Sequence, residues 1–193
     1  MNELEIIRAQ LAVEQFHATE VANACAAVFG SSAASAPQEA IALFREACVS
    51  YLVWVLARFE ERDQTLSELL SSRQAMADGT AAAGARQLAS LIARPGRSRE
   101  ALSRLEAALA ASEPQASRAG WQEFARFFNS AWASRRAALE GALAEHLDVA
   151  DLRAVCAIDA DSILDERKRF GRIIEQLPAG IELRATPPTD RRQ

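Results

Sequence analysis

Histidine, cysteine and tyrosine are scarce in this chain, at two, three and one residues out of 193. So few imidazoles argue against a histidine-rich metal centre. Cys25, Cys48 and Cys156 are odd in number and far apart, without the close spacing of a metal knuckle, so they are expected to be reduced thiols packed in a core. A concentration of positive charge is also missing. The formal net charge is -4 and the arginines are interleaved with acids, so the basic face of a nucleic-acid binder is not expected. No apolar run approaches the roughly 18 to 20 residues of a membrane span. The opening MNELEIIRAQ carries acids and only two consecutive isoleucines, where a signal peptide has a basic and then an apolar region. A soluble cytoplasmic protein with neither nucleic acid nor membrane as partner is the expectation. No segment alternates with period two for long, no internal repeat is found, and no motif names a reaction.

What remains is rich in Ala, Leu, Arg and Glu, with apolar residues three and four apart, which reads as all-α. Helix 1 is expected over residues 2 to 29, stopped by Gly30, and helix 2 over 37 to 73, opened by Pro37. A weaker region over 80 to 111, broken at Pro95-Gly96, reads as a crossover. Helix 4 should run from Ser112-Glu113-Pro114 to about Leu147, and helix 5 from the Asp148-to-Asp151 cap to about Leu177. The predicted fold is an antiparallel bundle of four long helices with a broken crossover helix, one domain over 1–177, and a mobile tail over 178–193.

Helical wheels place polar groups inside the apolar stripes, where they cost free energy unless satisfied. Glu14 and His17 share the face of Ile7, Leu11, Val21 and Val28, whereas Glu20 falls at its margin as a solvated acid. Tyr51 lies in the helix 2 stripe with Arg58 and Arg62 on its flank or within it, Arg62 near enough to an end to snorkel. Arg135 falls inside helix 4, and Asp159 and Glu166 inside helix 5. At about 1.5 Å per residue, Glu14, His17, Tyr51, Arg135, Asp159 and Glu166 come within about 10 Å of one level. These six are the candidate ligand-binding residues. Glu14, His17, Asp159 and Glu166 are the candidate metal ligands, suited to iron or manganese. Arg135 is expected to pair with Asp159 or Glu166. His146, near a helix C-terminus, reads as a residue suited to the helix dipole.

A histidine midway along helix 1, Phe59-Glu60-Glu61 midway along helix 2 and His146-x4-Asp151 together resemble the hemerythrin-like bundles. The resemblance implies a di-iron centre for oxygen binding or sensing, with His17, Glu60, His146 and Asp151 at matching positions. Leu56 stands where a histidine would precede the acids, and the third-helix histidines are absent, so it implies a degenerate member without the usual di-iron site. Three readings stay open. One is a non-catalytic bundle holding a metal ion or small ligand at its polar cluster. A second is an interaction or homodimerisation bundle whose polar cluster is structural, with Phe16, Trp54 and Trp121 left over for contact. The third is a metal-dependent oxygenase, for which no activated nucleophile or complete metal set is found.

Overall fold

The computed structural model describes residues 2–30, 37–76, 80–92, 96–110 and 113–187. In chain order these form α1 (Glu3–Gly30), α2 (Gln38–Met76), α3 (Thr80–Leu91), α4 (Arg97–Ala110), α5 (Pro114–Phe127), a π-helical turn (Phe128–Trp132), α6 (Ala133–His146), α7 (Val149–Cys156) and α8 (Ala160–Glu175). The protein is all-α, with no strand among the described residues.

The expected face of α1, with Ile7, Leu11, Val21, Cys25 and Val28, is buried. It packs on α2, whose inner face carries Phe44, Cys48, Tyr51, Val55 and Phe59. Phe29 stacks on Phe44 at one end and Glu14 meets Arg62 toward the other, so the two helices are antiparallel. Helical backbone continues from α5 through the π turn into α6, which lies along α1, with Trp121 stacked on Phe29 and Arg8 reaching the Ala144 carbonyl. Burial raises the pKa of the Cys156 thiol to about 11, and Cys25 is pushed well above the ordinary thiol range by burial and by Cys48. All three cysteines are free and buried, consistent with unreactive core thiols.

Three features depart from the sequence expectation. The segment over 80 to 110, expected as a broken crossover helix, forms two short helices: α3 packs on α2 and α6 and α4 on α2 and α5, burying Ala85, Leu88, Ala101 and Leu105. Each short helix offers one small apolar stripe, and burying it requires a place between longer helices. Gly96, at φ 80°, precedes α4, while Pro95 lies outside the described residues. Helix 5 is two helices rather than one. Ala157 takes the left-handed conformation at φ 47°, and Asp159 and Ser162 form a reciprocal capping box that starts α8 afresh. The segment expected as a mobile tail packs, through residue 187, against the helices: Pro178 is buried and Ile181 and Leu183 lie on the core. Residues 188–193 lie outside the described residues.

The approach of α4 to α5 has a testable consequence. A methyl group on Gly120 would collide with the Cβ of Ala108. Gly120→Ala should therefore destabilise by about 1 to 3 kcal/mol despite the gain in helix propensity. A melting temperature equal to or above the parent's would show that α4 can yield.

Candidate functional site

Glu166 sits on the buried face of α8 with Phe170 and Ile173, four and seven residues on, so the helical period carries a carboxylate into the groove between α1 and α2. Its Oε1 lies 2.6 Å from His17 Nδ1 of α1 and accepts a hydrogen bond from the Tyr51 hydroxyl of α2 at 3.1 Å. The other ring nitrogen, His17 Nε2, is 2.9 Å from the Ala185 carbonyl in the C-terminal segment. A carbonyl only accepts, so Nε2 carries a hydrogen. Nδ1 then shares a proton with Glu166, either as an imidazolium–carboxylate pair or as an imidazole accepting from a protonated acid. The imidazole stacks on Phe170 with centroids 3.6 Å apart. Burial, together with the Glu166 charge, pushes the Tyr51 phenol well above its ordinary pKa, so this hydroxyl stays a donor.

One turn earlier on α1, Glu14 is fully buried and has different partners. Arg62 Nη1 lies 2.6 Å and Arg58 Nη2 3.6 Å from its carboxylate oxygens. Arg62 Nε donates to the Cys156 carbonyl at 2.9 Å, and Arg58 reaches the Ala157 carbonyl at 3.4 Å, so both arginines also satisfy the C-terminal end of α7. Burial and the neighbouring Arg62 charge lower the Arg58 pKa. Nearby on α6, Arg136 bonds Asp63 at 2.5 Å and Glu140 at 3.0 Å. Burial raises the pKa of both acids against the pull of Arg136. Burial also acts to lower Arg136, but Asp63 and Glu140 outweigh it and hold its pKa above the ordinary value.

Of the six candidate residues, His17, Tyr51 and Glu166 come together, and Glu14 belongs to the adjacent arginine cluster. Asp159 does not join them. It is exposed and caps α8 by accepting from the Ser162 amide, an interaction that lowers its pKa. Arg135 is also exposed, and instead of pairing with Asp159 or Glu166 it donates to the carbonyls of Ser90 and Leu91 at the end of α3. Arg136 takes the buried position. The π turn inserts about one extra residue, which turns everything after it by roughly 100° relative to a uniform wheel. Arg62 does not snorkel to water: it is 3% exposed. Glu20 is not solvated, because Arg184 of the C-terminal segment covers it with side-chain and backbone donors. Asp63 and Glu140 were missed because each lies at the edge of its stripe. The adjacent Arg135 and Arg136 were the one signal that a shift of register could exchange their roles.

The four expected metal ligands do not fit a metal centre. Glu14 is flanked by two guanidinium groups, Asp159 is elsewhere, and only His17 and Glu166 meet. Among the described residues no three His, Cys, Asp or Glu side chains form a group able to hold an ion. Glu166 Oε2 and both Glu14 oxygens lack a hydrogen-bond partner, but the Glu14 oxygens face the charges of Arg62 and Arg58, and the one free oxygen of Glu166 is not a coordination sphere. The residues that carry the hemerythrin-like resemblance have separate roles. His17 holds Glu166, Glu60 pairs with Arg99, Asp151 caps α7 and binds Arg73, and His146 is exposed beside Gly84. Fold and site together define an all-α protein with its ionisable groups paired across helices. No protein-family model, curated protein or solved structure matches the chain.

The C-terminal segment is tied to α1 at His17 and Glu20. The hydrogen bonds from Arg184 lower the Glu20 pKa from its ordinary 4.5, so this contribution is present above pH 4.5 and lost as the pH falls through the lowered value. Glu20→Ala should speed amide exchange over residues 178–187 at neutral pH, and acidification should do the same to the parent. Exchange unchanged in both experiments would show that the tie does not hold the segment down.

Proposed function

We propose that this is a non-catalytic helical protein that acts by associating with another macromolecule, and that its buried polar clusters are structural. The observation that carries the reading is the pairing of the candidate ligands with the protein's own groups. Glu14 faces Arg62 and Arg58, and both nitrogens of His17 face oxygens of the chain itself. Such pairs contribute little net stability against apolar replacements, but an unpaired partner is costly, so they favour one arrangement of α1, α2, α6 and α8 over its neighbours. A ligand at this level would have to break these contacts, which opposes the metal and oxygenase alternatives.

Metal analysis and native mass spectrometry of protein purified without added metal test the reading. The expected result is the bare chain mass, or a multiple of it, with no stoichiometric metal. Near-stoichiometric iron or manganese, or a retained organic molecule, would overturn it. His17→Ala and Glu14→Ala should lower the melting temperature with no bound species to lose. Metal or ligand loss in either variant would restore the binding reading.

A further inference from the structure

The inner face of α2 is core, and its outer face carries two exposed large apolar residues, Leu43 and Val53. An 18-residue stretch within Gln38–Arg73 has a mean hydropathy of 1.7, and 33% of it is buried. On the outside Leu43, Glu46, Ser50, Val53 and Ala57 are exposed at alternating spacings of three and four residues, Leu43 by 46% and Val53 by 40%. That is the seam by which one helix meets another. A groove runs on either side, one shared with α4 and one with α8.

We propose that this face is a two-fold interface between copies of this chain, with the two α2 helices antiparallel and crossing near Ser50. The proposal rests on the association reading above. Charge selects the occupant. In the α4-side groove Glu39, Glu46 and Glu106 outnumber Arg45, whereas the α8-side groove is lined by Arg58 and Arg169 against Glu61, with Arg58 also facing the buried Glu14 and Arg169 bonded to Asp165 at 3.0 Å on its own helix. The acidic groove lies toward the start of α2 and the basic groove toward its middle. Turning a second copy by a half-rotation about Ser50 lays the acidic groove of each on the basic groove of the other, and an isologous contact does this twice. The small Ser50 and Ala57 allow close approach, with Leu43 and Val53 supplying the apolar contact. A bilayer fits less well. Arg45 and Glu46 lie inside the apolar stretch, and crossing would pull Phe44, Tyr51, Val55 and Phe59 out of the core.

Size exclusion with light scattering should give twice the chain mass. Val53→Glu and Glu46→Arg should each weaken the dimer about tenfold or more, and adding Arg169→Glu to Glu46→Arg should restore it. All three native cysteines are buried, so Ser50→Cys supplies a thiol that a short bis-maleimide should join across the axis, whereas Ser103→Cys on α4 should not cross-link. A chain that stays monomeric at high micromolar concentration overturns the interface. So does a dimer indifferent to Val53→Glu and Glu46→Arg, although that result leaves the association reading standing. Flotation of a monomeric chain with phosphatidylserine–phosphatidylcholine vesicles, lost in Val53→Glu, would make a bilayer the occupant and overturn the proposal. A metal or ligand retained in the native mass spectrum would overturn the underlying reading, whatever the oligomeric state.

Discussion

Arg136→Ala should destabilise the protein by about 3 to 5 kcal/mol, whereas Arg135→Ala, one residue away, should cost about 1 kcal/mol or less. Arg136 is 4% exposed and is the shared partner of Asp63 on α2 and Glu140 on its own helix, so its removal leaves two carboxylates in a site with little water. Arg135 is exposed, and the carbonyls it binds at the end of α3 can turn to solvent. The pH dependence distinguishes electrostatics from lost packing. Burial raises the pKa of Asp63 and Glu140 in the folded protein, so their contribution is fully present below their ordinary values of 3.8 and 4.5 and is lost as the pH rises through the folded ones. The Arg136→Ala deficit should therefore shrink between about pH 8 and about pH 5, as the orphaned acids take up protons. Urea denaturation at both values measures it. Equal losses for the two arginine variants would place the π turn elsewhere.

Arg62→Ala should be of similar size, about 3 to 5 kcal/mol, for a related reason. Glu14 is completely buried, and Arg62 is the guanidinium nearest its carboxylate; Arg58 is at 3.6 Å and partly exposed. The variant also removes the donor to the Cys156 carbonyl, adding about 1 kcal/mol. The informative comparison is the double variant Glu14→Leu with Arg62→Leu. With both charges gone, most of the loss should be recovered, because apolar side chains of similar size often replace a buried pair at little cost. A double variant less stable than Arg62→Ala would mean that the pair contributes more than mutual neutralisation.

The sequence by itself determined the all-α class, the extent of α1 and the start of α2, because apolar spacing, Gly30 and Pro37 act within a few residues of chain. It also placed Glu14, His17, Tyr51 and Glu166 on inward faces, since each lies on a regular helix where a uniform wheel holds. The break before α8 was written locally as well, in the Asp159-x-x-Ser162 cap, but the apolar pattern on either side concealed it. Tertiary structure decided the rest. Whether Arg135 or Arg136 faces inward depends on one π turn, which lies in the chain beside the packed rings of Trp121, Phe124, Phe128 and Trp132. Whether Glu20 meets water depends on a segment more than 160 residues away in sequence, which returns to lay Arg184 over it. Which groups pair is a matter of distance in space, and a helical wheel gives only the direction a side chain takes from its own axis.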